Sequence, residues 1–189
     1  MHRWVPVLIL IAILAVFRVL GSTFSSVLPN FQPLLALFLC SFTFLKGVQR
    51  WLVPGIVWLV TDPFTSLLQG HAVLGWHHLA VVAGIATTLG ISMMVRRKPT
   101  AGPVLAGAAA SAIVFYFLTN LMAFVADPLY PKTFAGFVQA QWTGPVGFGP
   151  TWIFLRNLVA ANVLFTALFL AARWSVPAPV ASPSHIPAR

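Results

Sequence analysis

The sequence predicts an all-α integral membrane protein of six transmembrane helices, with both termini on the cytoplasmic side. Two observations carry that expectation. Only 7% of the 189 residues are charged while 59% are hydrophobic, and the mean hydropathy is +0.93. The few cations also fall in alternate gaps between apolar runs, and Lys and Arg collect on the cytoplasmic side of membrane proteins.

A helix rises ~1.5 Å per residue, so ~20 apolar residues cross ~30 Å of hydrocarbon. Residues 72–95, 104–126 and 152–172 meet that requirement outright. Residues 4–20 form the first span. MHRWVPVLILIAILAVF has the charged start and apolar centre of a secretory signal, but Arg18 follows and no small-x-small cleavage site does, so the helix is read as uncleaved. Residues 51–68 form the third span and carry Pro54, Gly55 and Asp62. The second span, 28–45, is the shortest. Its clean core from Pro33 to Leu45 would rise only ~20 Å, so it must taper into loops or sit partly buried.

Charge is the reason to keep that short span. With six spans, Arg3, Lys46, Arg50, Arg96, Arg97, Lys98, Arg173 and Arg189 share one side, which is 8 of the 11 cations. Arg18, Lys132 and Arg156 lie toward the opposite side, together with both acids, Asp62 and Asp127. The net charge of +9 is therefore a positive-inside signal, and no basic soluble domain is present to bind nucleic acid. A single cysteine, Cys40, excludes an internal disulfide and a thiolate metal cluster, and reads as a small buried hydrophobe. No repeat of 20–50 residues is visible. Residues 1–174 make one membrane domain, and 175–189, rich in Pro, Ser and Ala, make a disordered cytoplasmic tail.

The outer loops carry the chemistry. In GSTFSSVLPNFQP, Asn30 either caps the second helix or orients a ligand through its amide. Asp62 and Asp127 each precede a proline, which suits an N-cap followed by a first-turn proline. An acid near the apolar phase also costs up to ~2.5–3.5 kcal/mol on insertion scales, so such residues face a cavity or a partner. An Arg18–Asp62 or an Arg156–Asp127 ion pair would offset that cost while lining a pocket, and sequence does not choose between them. In GHAVLGWHHL, Trp76, His77 and His78 open the fourth span, with His71 on the face of His78 if the helix reaches that far. They suit interfacial anchoring or contact with an organic ligand. A metal site is not expected, since thiolates are lacking and the acids are distant in sequence.

Small residues at 107–112 (GAAASA) allow close helix packing, and Tyr116 and Asn120 share one face of the fifth span, with Thr119 adjacent, suited to a pocket between helices. In the sixth span Asn162 and Thr166 share a face, while Asn157 lies about 140° round from Asn162. The last outer loop, 127–151, is too long for a plain connection. Phe134, Phe137, Val138 and Trp142 follow helical spacing there, predicting an amphipathic surface helix or lid, and Gly144, Gly147 and Gly149 make a jointed return.

PNFQPLLALFL, LVTDP, FYFLTNLMAF, YPKTFAG and FLRNLVAANVLFTALF together resemble an uncharacterised family of small bacterial six-helix membrane proteins. That family is similar in turn to the S components of energy-coupling factor transporters. At Ala161-Asn162 the chain departs from the Gly-Asp that the family often carries. The resemblance implies an S-component-like bundle in a bacterial cytoplasmic membrane. It would capture a vitamin or precursor beneath the loops at 21–32, 61–78 and 127–151, with a membrane coupling subunit and ATPases as partners. Asn30, Asp62, Trp76, His77, Asn120, Tyr130, Lys132 and Arg156 are the expected ligand-proximal residues. No phosphate-binding loop and no cofactor motif are present. The rival expectations are a non-transporting accessory subunit, whose outer polar residues would disperse, and a membrane enzyme, for which no nucleophile constellation is visible.

Overall fold

The computed structural model describes residues 5–24, 27–68, 70, 72–75 and 77–175. Among them the chain is all-helical, with seven helices: α1 (Val5–Thr23), α2 (Leu34–Phe44), α3 (Gln49–Leu68), α4 (His77–Val95), α5 (Ala101–Ala126), α6 (Phe134–Gln141) and α7 (Trp152–Ser175). The expected disordered tail lies, from residue 176 on, outside the described residues, as do Arg3, His71, Trp76 and Arg189.

Four helices, α3, α4, α5 and α7, are long and apolar enough to cross a membrane by length and composition. Only 28–39% of the apolar window in each is buried inside the bundle, so most of that surface faces outward. On α3, Leu59, Val60, Phe64 and Leu67 are exposed, whereas Pro54, Val57, Thr61 and Thr65 turn inward at helical spacing. An apolar surface this extensive suits lipid rather than water. The described side chains of α1, from Ile11 to Thr23, form a shorter apolar helix.

The expected second span is shorter than its range. Helix α2 occupies only Leu34–Phe44, about 16 Å of rise, because residues 27–33 take a non-helical path. Two prolines explain this: Pro29 and Pro33 disfavour helix at the residues before them, and Asn30 adopts a left-handed φ of 60°. From Leu34 to Thr43 every residue of α2 is buried. It is the hub of the fold, packed against α1, α3, α4, α5 and α7. Around it the outer helices neighbour one another in the order α3, α1, α7, α5, α4.

Small residues set the closest approaches. A Cβ at Gly84 of α4 would run into the ring of Phe115 on α5, and one at Gly107 would press on Val95. Gly107, Ala108, Ser111 and Ala112 are all buried, so the small patch serves internal packing. The C-terminal ends of α2 and α7 meet where Arg173 lies 4.4 Å from the centroid of Phe44. The up-and-down topology places the loops holding Lys46, Arg96, Arg97 and Lys98, with Arg50 at the start of α3, at that same end. Arg18, Asp62, His77 and His78 lie at the other end.

Candidate functional site

Asp62 organises the polar end of the bundle. Rather than capping a helix start, it sits within α3, which runs through Pro63 to Leu68. Its Oδ1 accepts from Arg18 Nη2 at 2.8 Å and from Trp58 Nε1 at 2.9 Å. Its Oδ2 faces His78 Nε2 at 2.7 Å. Helical spacing brings Trp58 one turn before Asp62 on the same face of α3. Arg18 arrives from α1 and His78 from the first turn of α4, so one carboxylate ties three helices together. Its contact with His78 also joins α3 to α4.

His78 is held at both ring nitrogens. Neutral, its Nδ1 accepts from the Gly75 N–H at 3.2 Å; protonated, it donates to the Gly75 carbonyl at 3.2 Å. The neighbouring His77 ring lies 4.1 Å away between centroids. Among the described residues, no group of three His, Cys, Asp or Glu side chains is placed to hold a metal ion.

Arg18 and Asp62 line a cavity of about 60 Å³ together with Gln32, Leu34, Thr65, Ser66, His77, Val81 and Phe115. Five helices and the loop before α2 therefore contribute to it. Arg18 is 3% exposed, a buried cation of the kind that functional sites in membranes use.

The loop over this cavity is fixed from α7. Asn157 Nδ2 donates to the Pro29 carbonyl at 3.0 Å, and Asn162 Oδ1 accepts from the Ala36 N–H at 2.7 Å. Asn162 thus satisfies an N–H in the first turn of α2, which has no side-chain cap at Pro33. Its Nδ2 reaches Leu158 and Gln32 carbonyls at 2.8 and 3.4 Å. Although the two amides project on different sides of α7, both hold the segment from 29 to 36. Asn30 accepts from Gln32 Nε2 at 2.8 Å, which orients a cavity-lining side chain. It does not cap α2, because Pro33 occupies that position.

The other expected site residues lie elsewhere. Asn120 and Thr119 donate back to the Tyr116 carbonyl of their own helix. Tyr116 donates its phenol to the Gln141 carbonyl, fastening α6 to α5. Lys132 caps the C-terminal end of α5 through the Phe124 and Asp127 carbonyls, and its Nζ is 5.3 Å from the Phe124 ring centroid. Asp127 is a C-cap, not an N-cap, and its Oδ1 accepts from Leu129 N–H. Arg156 donates to Asn157 Oδ1 at 3.2 Å and stacks over Trp152, so of the two candidate ion pairs only Arg18–Asp62 forms among the described residues. Tyr130 is buried; burial pushes its phenol above the ordinary value, and Asp127 and Tyr116 add to the rise.

Helix α6 forms where the spacing predicts it, capped by Thr133, whose Oγ1 accepts from Gly136 N–H at 3.2 Å. Its small side, Gly136 and Ala140, is the buried one, and Phe134, Val138 and Trp142 face outward. That orientation suits an interfacial helix with its apolar side toward lipid.

Comparison with protein families matches the chain to a family of unknown function termed DUF6580 over residues 1–181. The chain belongs to that family. No curated protein and no solved structure matches it. In this DUF6580 member spacing could have flagged three residues that the sequence reading left out: Thr65 and Ser66, which line the cavity, and Trp58, which bonds Asp62, stand three or four positions from Asp62 on its helix.

Proposed function

We propose that this DUF6580 protein is a substrate-capture subunit of bacterial membrane transport, with six membrane-crossing helices, both termini cytoplasmic and the polar end of the bundle facing out. The single observation that carries this is the Arg18–Asp62–His78 cluster, whose Arg18 and Asp62 line a cavity within apolar helices. An ionisable cluster kept in a membrane-embedded bundle is costly, and a ligand or ion path is its usual reason. The end of the bundle that holds Lys46, Arg50, Arg96, Arg97, Lys98 and Arg173 is assigned to the cytoplasm by the positive-inside bias. A separate coupling subunit with ATPases would supply the energy, since no phosphate-binding loop is present in this sequence.

The experiment is extraction and mass spectrometry of small molecules that copurify with the full chain. One recurring small molecule at near-stoichiometric amount supports capture, and its absence from every preparation argues against it. A second role, that of an accessory subunit, is favoured by the dispersal of Asn120, Lys132, Asp127 and Arg156 onto local partners and by the exposed Phe134, Val138 and Trp142 of α6. A reproducible protein partner without any ligand would select it.

A further inference from the structure

We propose that the cavity binds a carboxylate, either a small carboxylic acid anion or the carboxylate end of a larger ligand, with Arg18 as its main donor. This rests on the capture function above and names the ligand class for that cavity. Hydrogen-bond accounting carries it. Asp62 accepts from Arg18 and Trp58 on one oxygen and faces His78 on the other, so its acceptor capacity is well used. Arg18 has five N–H donors. Its Nη2 meets Asp62, while Nε and Nη1, which carry three of the five, find no acceptor among the described residues although they are buried. Buried donors without partners are rare and call for a specific reason. Among the described residues the cluster therefore lacks an acceptor, and Arg18 lines the cavity in which one would sit.

Charge and size select among acceptors. The charged and titratable groups at the cavity and in its cluster are Arg18 from α1, Asp62 from α3 and His77 and His78 from α4; α2 and α5 contribute Leu34 and Phe115. Arg18 and Asp62 cancel, so a dianion such as phosphate would bring two uncompensated charges into a poorly solvated site. A carboxylate brings one. Its charge is favoured by the guanidinium and by the N-terminus of α2, where Leu34 borders the cavity. The volume of about 60 Å³ is several times the ~10–15 Å³ that a cavity needs to hold one water, enough for a group the size of formate or acetate.

The test is isothermal titration of the purified full chain in detergent with sodium formate and sodium acetate, followed by competition with chloride and phosphate. Wild-type protein should bind formate saturably, and acetate should displace it better than chloride or phosphate does. The double variant Arg18→Met/Asp62→Leu removes both charges, so neither is left buried alone, and should weaken formate binding by about 10–150-fold. Arg18→Lys, which keeps the charge and loses the extra donors, should fall between the two. Unchanged formate affinity in the double variant, or displacement by chloride as effective as by acetate, overturns the proposal. A copurifying ligand without a carboxyl group overturns it while leaving capture intact. No copurifying ligand together with no formate binding overturns both.

Discussion

Replacing Asp62 by Asn keeps the shape of the side chain and removes its charge, leaving Arg18 buried at 3% exposure without a counter-ion. Removing one member of a buried ion pair costs about 3–5 kcal/mol, chiefly because the remaining charge is stranded away from water. For a chain of 189 residues, where each kcal/mol moves the melting temperature by about 2–4 °C, the expected loss is about 6–20 °C. The assay is thermal unfolding in detergent followed by tryptophan emission, with Arg18→Met/Asp62→Leu measured alongside. The double variant should recover most of the loss, since a buried pair exchanged for apolar groups of similar volume is often close to neutral. A shift below about 2 °C for Asp62→Asn, or a double variant as unstable as the single, would refute the assignment of Arg18 and Asp62 as a mutually dependent pair.

Other expectations follow from the same contacts. Asn162→Leu leaves the Ala36 N–H without its acceptor in the core and should destabilise by about 1–3 kcal/mol, read from the melting curve in the same detergent. Gly84→Ala pushes a methyl group into the Phe115 ring beside the cavity and should cost about 1–3 kcal/mol; pairing it with Phe115→Leu should recover part of that. The raised Tyr130 phenol predicts that stability falls as pH climbs past the ordinary value of 10.0, because the unfolded chain ionises first. Tyr130→Phe should flatten that alkaline fall in a melting series from pH 8 to 11, and an unchanged slope would count against the burial of this group.

Much of the bundle is legible in the sequence, and the departures have physical causes. Helices α5 and α7 follow their apolar runs closely because ~20 such residues suffice to cross hydrocarbon, whereas α4 starts only at His77, after a non-helical stretch at 72–75 of the run expected over 72–95. The span proposed at 28–45 was shortened by Pro29, the left-handed Asn30 and Pro33, whose effect is local and visible in the letters PNFQP. Thr61-Asp62-Pro63 looks like a helix start, yet α3 passes through it. Proline is tolerated inside a membrane helix when neighbouring groups satisfy the freed carbonyl. The charges of Arg18 and Asp62 stood out as rare in apolar segments, but their pairing spans 44 positions and needed the packing of α1 on α3 to decide it. Asn120 and Arg156 illustrate the opposite case. Their polarity suggested a shared pocket; the contacts they make are local, Asn120 donating to the Tyr116 carbonyl of its own helix and Arg156 to its neighbour Asn157.

The most direct measurement is native mass spectrometry of the full chain released from detergent, comparing wild type with Arg18→Met/Asp62→Leu. A ligand cavity built on this cluster predicts a small-molecule adduct on the wild type that is lost or strongly reduced in the folded double variant. The same adduct on both proteins, or none on either, would contradict it.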